Sequence, residues 1–205
     1  MWTETYQESP LKGLKPVQSP AHAGDARRLR IVERPFLDLA VLRGNARSPG
    51  FASALERALG TAPPVAPNTV AHGHRHLLAW MGPDEWWVQS LAASLPSLEG
   101  ALRPVLQAES ACVVDVSSGY TVLQLLGEHA REVLAKGCPL DLHPRVFGAG
   151  QCAQSHYFKA GVMLRALDAG GVEVVVRRSF ADYAGRMLLD AAQEFMSPNQ
   201  RIERE

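Results

Sequence analysis

The chain has 205 residues, 46% of them hydrophobic, and its 21 basic and 21 acidic side chains cancel. That apolar content is enough for a full core, in one large domain or two small ones. Balanced charge gives no long-range field toward nucleic acid or an anionic bilayer, so neither is an expected partner.

Residues 1–28 carry Pro10, Pro16 and Pro20 among Lys, Ser and Gln, a spacing that interrupts helices and strand ladders and predicts an extended N-terminal arm. Trp2, Tyr6, Leu11, Leu14 and Val17 punctuate it. A solvated tail would carry fewer apolar side chains, so Trp2, Tyr6, Leu11 and Leu14 are candidate partner contacts. The arm has no apolar signal core, and no run of about 18 apolar residues follows, so a cytoplasmic location without membrane contact is expected.

From Leu29, "LRIVERPFLDLAVLRG" reads as a strand region and "SPGFASALERALG" as a helix, with Phe51, Leu55 and Leu59 on one face. "RHLLAWMGPDEWWVQS" predicts a hairpin about Gly82-Pro83-Asp84, and "LPSLEGALRPVLQ" a weaker helix containing Gly100 and Pro104. The second half follows the same plan. "ACVVDVSSGYTVLQLLG" is strand-like, "EHAREVLAKG" helical, and "QSHYFKAGVMLRALDAGGVEVVVRRS" gives two strands. "SFADYAGRMLLDAAQEFM" is a helix with Phe180, Tyr183, Ala184, Met187, Leu188, Ala191 and Phe195 assigned to one face. The expected fold class is therefore α+β, a duplicated strand-helix-strand-strand-helix unit. The arm at 1–28 precedes units at 29–110 and 111–197, and a polar tail at 198–205 closes the chain.

Candidate chemistry is sparse. His72, His74 and His76 alternate, which on one strand would aim three imidazoles to one side. Gly73 intervenes and no Cys, Asp or Glu follows before Asp84, so a solvated strand entry is expected and no metal. Asp115, Ser117, Ser118 and His129 contain the ingredients of an activated nucleophile, but no Gly-x-Ser-x-Gly elbow surrounds either serine. Those residues are expected to shape a turn. Gly148-Ala149-Gly150-Gln151 lacks the parts of a phosphate cradle. Cys112, Cys138 and Cys152, odd in number and without a Cys-x-x-Cys pair, are expected to be free thiols. Adjacent Trp86 and Trp87 must face opposite sides of a strand, so one could be core while the other meets a partner.

"WMGPDEWWV", the stretch from Asp115 to Ser155 and the Ser-Phe opening of the last helix resemble the gamma-subunit family of heterotetrameric sarcosine oxidases, with "REVLAKGCPLDLHP" the most specific block. The resemblance spans about residues 29 to 195. A more distant likeness is to the folate-binding domains of the glycine-cleavage aminomethyltransferases, whose duplicated α+β units match the internal repeat. It implies a subunit of an assembly that oxidises sarcosine to glycine with dioxygen. Such an assembly forms hydrogen peroxide and gives the one-carbon unit to tetrahydrofolate or releases it as formaldehyde. The implied partners are the alpha, beta and delta subunits, which would hold FAD, FMN, NAD and tetrahydrofolate. This chain is expected to carry no catalytic residue and no cofactor. The aminomethyltransferase turn that holds the pterin is here "DAGGVEV", with Glu173 near the position of its acid but without the surrounding motif. The competing expectation is a freestanding folate-dependent one-carbon transferase or a folate-binding module.

Overall fold

The computed structural model describes residues 7–14, 17–18, 29–92, 97–168 and 170–195. Trp2 and Tyr6, and the tail at 198–205, lie outside them. In chain order the first half gives β1 (Val17–Gln18), β2 (Arg30–Arg34), β3 (Leu39–Arg43), α1 (Pro49–Leu59), β4 (Val70–His72), β5 (His76–Gly82), β6 (Glu85–Ser90) and α2 (Leu98–Val105). The second half gives β7 (Cys112–Asp115), β8 (Tyr120–Leu126), α3 (Ala130–Ala135), β9 (Cys152–Tyr157), β10 (Ala160–Ala166), β11 (Val172–Arg177) and α4 (Arg178–Ala192).

Omitting β1, both halves run β-β-α-β-β-β-α, so each unit holds two more strands than the sequence pattern predicts. The strand-like run at 29–44 is broken at Pro35-Phe36, where proline cannot continue the ladder, and Phe36 turns the chain with φ 59°. The run at 111–127 is broken by a 3-10 turn at Ser117–Gly119. The third added strand region, β9, reverses into β10 over two residues, Phe158 and Lys159. Their apolar content made these runs look continuous, and turns only two or three residues long gave little sign of the breaks.

The sheets do not divide the chain at residue 110. One sheet has the order β4-β5-β6-β3-β7, and the other β1-β2-β8-β11-β10-β9. Strand β2 pairs with β8, Ile31 opposite Leu125, while β7 pairs with β3, Val113 opposite Leu42. The first strand of each unit thus joins the other unit's sheet, β7 at its edge and β2 between β1 and β8. At the opposite edges, Val70 N–H donates to Gly150 O at 2.8 Å and Cys152 N–H to Asn68 O at 2.9 Å, joining β4 to β9. The units expected at 29–110 and 111–197 are therefore interleaved.

Two sheets back to back, each covered outside by its own helices, make four layers. Outside the first sheet, Phe51, Leu55 and Leu59 of α1 and Leu98 and Leu102 of α2 pack on Leu42, Leu78, Trp86 and Val88. Ser48-Pro49 opens α1 and Gly60 closes it in the left-handed conformation, φ 82°. Outside the second sheet, Ala181, Ala184 and Leu188 of α4 and Val133 and Leu134 of α3 cover Leu123, Leu125, Val174 and Val176. Phe180 departs from the expected helix face and is exposed, while Tyr183, Met187 and Phe195 border the core. Leu39, Leu77, Trp87, Val122, Met163 and Val175 fill the layer between the sheets.

The arm is partly ordered. Leu11 is buried and Leu14 half-buried against α4, and β1 adds to the edge of β2. Ser9 Oγ donates to Glu33 at 2.5 Å and Arg178 donates to Glu8 O at 2.6 Å. Leu11 and Leu14, proposed from sequence as partner contacts, thus pack within this chain; Pro10 stands in a turn, and the leucines after it reach the core.

Candidate functional site

Beside the arm, a cleft of about 690 Å³ opens where β2 and β7 end, lined by Glu33, Phe36, Asp38, Asp115, Ser117 and Tyr120 among others. Its chemistry centres on Ser117. The hydroxyl lies 2.6 Å from Asp115 Oδ1, 3.1 Å from Asp38 Oδ1 and 3.2 Å from Leu39 O, and accepts from Leu39 N–H at 2.9 Å. Asp115 Oδ1 also accepts Ser117 N–H at 2.8 Å. With one hydrogen to give and backbone at both flanks, this serine continues the β3–β7 ladder where the strands part. Asp38 Oδ2 accepts Leu98 N–H at 2.5 Å, satisfying a free donor of the first turn of α2.

His129 is not part of this cluster. It contacts Glu132 at 3.1 Å and stacks on Phe195, ring centroids 4.4 Å apart. The residues that could have formed a nucleophile and base are therefore divided between a turn-forming group and a helix-end contact. The three histidines are also separated. His72 ends β4, His74 lies in the turn and His76 begins β5, with Gly73 N–H bonded to His76 O at 2.9 Å. Gly73 makes the reversal possible, since a Cβ there would meet Leu59 O at 1.9 Å. Burial holds His76 below its ordinary range, partly opposed by the Asp38 carboxylate. Among the described residues no three His, Cys, Asp or Glu side chains gather as a ligand set.

Trp86 and Trp87 do face opposite sides, and both are buried. Trp86 packs toward α1, 5.6 Å from the Phe51 ring, and its indole N–H reaches Pro64 O at 2.8 Å. Trp87 meets Tyr120 edge-on at 5.0 Å between the sheets. The second sheet covers the face that a single unit would leave exposed. Neither ring is offered to a partner, which corrects the contact expected of one of them.

Between the sheets lies a polar group that sequence reasoning largely missed. Glu173, 1% exposed, accepts Arg165 Nε at 3.0 Å, Arg165 Nη2 at 2.9 Å and Gln89 Nε2 at 2.9 Å on Oε1, and Gln124 Nε2 at 2.8 Å on Oε2. Trp87 Nε1–H donates onward to Gln89 Oε1 at 3.3 Å. Strands β6, β8, β10 and β11 each supply one member, so the cluster ties the two sheets across the central layer. A polar residue at an inward position of an otherwise Val-rich strand, as in "VEVVV", was the available signal.

Residues 43–194 match the model of the sarcosine oxidase, gamma subunit family. The sarcosine oxidase subunit gamma of Corynebacterium sp. (strain U-96) is 33% identical over 190 residues, 92% of this chain and 91% of that one. The Arthrobacter sp. subunit gamma is 36% identical over 153 residues, 73% and 74% of the two chains. Among solved structures, the heterotetrameric sarcosine oxidase of Corynebacterium sp. U-96 contains a chain matching 93% of this one and 97% of its own length, with TM-score 0.81 and 31% identity. The glycine-cleavage aminomethyltransferase T of Bartonella henselae matches 80% of this chain and 46% of its own, with TM-score 0.63 and 14% identity, a likeness of fold. The chain belongs to the sarcosine oxidase gamma-subunit family.

Proposed function

We propose that this chain is a non-catalytic assembly subunit of a heterotetrameric sarcosine oxidase. The assembly oxidatively demethylates sarcosine to glycine, reducing dioxygen to hydrogen peroxide and yielding 5,10-methylenetetrahydrofolate or formaldehyde. Its alpha, beta and delta subunits hold FAD, FMN, NAD and tetrahydrofolate, and the complex works in the cytoplasm. The observation that carries the reading is the match to a chain of a heterotetrameric oxidase over nearly the full length of both. The interior agrees with it. Glu173, the acid nearest the position that holds a pterin in the aminomethyltransferases, spends both oxygens on Arg165, Gln89 and Gln124. Displacing those donors would leave Arg165 buried without a counter-charge. A pterin therefore does not fit at that carboxylate, which disfavours a freestanding folate enzyme.

Co-expression with the other three subunits tests the proposal. Purification through a tagged large subunit should recover this chain at one copy per tetramer. The chain purified alone should show no flavin absorbance, no saturable tetrahydrofolate binding and no sarcosine turnover. Stoichiometric flavin or folate on the lone chain would overturn the non-catalytic reading.

A further inference from the structure

Two phenylalanines hold positive φ, Phe36 at 59° and Phe158 at 47°. A bulky L-residue is disfavoured there because its Cβ crowds the following carbonyl oxygen. Phe158 has an internal reason for its place. Its N–H donates to Gly137 O at 2.8 Å, its ring lies against the bare face of Gly137, and it meets Tyr157 edge-on at 4.9 Å. Phe36 has no ring or cation contact of that kind among the described residues. It stands at the tip of the β2–β3 turn, 47% exposed, on the wall of the cleft.

The charge of that cleft is one-sided. Glu33 is bonded to the hydroxyls of Ser9 and Thr121. Asp38 and Asp115 are bonded to Ser117 and to backbone N–H groups. These donors are neutral and none is a cation, while Glu8 is paired with Lys12 at 2.7 Å. Among the described residues Arg178 is the one cation on the lining, and it donates to the Glu8 carbonyl.

We infer that this cleft is the docking surface for a net-basic segment of one of the oxidase's larger subunits, with Phe36 as the apolar anchor. The inference rests on the assembly role proposed above. A basic segment would neutralise Glu33, Asp38 and Asp115 while covering the exposed ring, and an acidic one would meet three like charges. Phe36 thus combines a disfavoured backbone with an exposed ring on the cleft wall, as a contact residue does and a core residue does not.

The experiment uses the full chain co-expressed with its oxidase partners and captured through a tagged large subunit over a salt series. Phe36→Gly removes the ring and suits the backbone, since glycine accepts φ 59° without crowding. Its retention should fall about tenfold, as for loss of an interface anchor, while the thermal midpoint of the full chain stays level or rises. Glu33→Gln, which can still bond to both hydroxyls, should reduce retention and flatten its salt dependence. If wild type is retained and Phe36→Gly is retained equally, the docking surface is wrong and the assembly role stands. A fall in the midpoint of Phe36→Gly would assign the ring to the chain's own stability and overturn the inference. If wild type is not retained at all, the assembly role fails and the docking surface with it.

Discussion

Leu14 lies over Gly185: a Cβ on that glycine would come within 2.6 Å of Leu14 Cδ1 and 3.2 Å of Leu11 Cδ2. The arm seats where α4 shows bare backbone. Gly185→Leu should lift residues 7–14 off the helix, seen as faster proteolysis within the arm while the remaining chain stays resistant. Leu11→Ala should cost about 2–4 kcal/mol in chemical denaturation, as for other buried leucines. Loss of less than about 0.5 kcal/mol would mean the arm adds little to the core.

Glu173 and Arg165 form a buried ion pair whose removal should be asymmetric. Glu173→Gln leaves a guanidinium inside without its counter-charge and should cost about 3–5 kcal/mol. Replacing both residues with apolar side chains should recover much of that loss. Thermal unfolding of the two single variants and the double variant measures the coupling, and additive losses would contradict it.

The three thiols should react very differently. Cys112 is exposed, whereas Cys138 and Cys152 are buried. Burial pushes the Cys152 thiol up to about 11, so little thiolate forms at neutral pH. Native labelling should therefore modify Cys112 first, and denaturant should release the other two. Rapid native labelling of Cys152 would show that the central layer opens.

Stability should fall on mild acidification through His76. Desolvation favours its neutral ring in the folded chain, so as pH drops below the ordinary value of 6.5 the unfolded chain takes up a proton first. The contribution is full above that value and is lost as pH falls toward the lower folded value. His76→Gln should make the thermal midpoint less steep over this window, and an unchanged slope would assign the acid sensitivity elsewhere.

The α+β class and the four helices were legible because Phe51, Leu55 and Leu59 repeat at helical spacing beside Ser-Pro and Gly signals. The duplication was legible because the two halves repeat one spacing. Strand partners were not, since nothing in the alternation of "RIVER" says that its edge will find Leu125 and not a neighbour in sequence. The role of "REVLAKGCPLDLHP" was hidden for a similar reason. Arg131 Nη1 reaches Leu142 O at 2.6 Å and Phe147 O at 2.8 Å, holding the long loop after α3 through backbone carbonyls that carry no sequence signature. The turn-forming role of Asp115 and Ser117 was read correctly from residue type. Their contact with Asp38, far away in sequence, needed the fold.

The exchange of β2 and β7 has a consequence for how the polypeptide is made. As it leaves the ribosome, β2 has only the two-residue β1 beside it until β8 has emerged, because its other edge pairs through Ile31 with Leu125. The first sheet likewise lacks its β7 edge until Cys112–Asp115 arrive. The amino-terminal half must wait with an open strand edge, in the state in which nascent chains are most prone to associate with one another. Completion of the second unit then supplies the missing strand of both sheets, which couples the folding of the two halves.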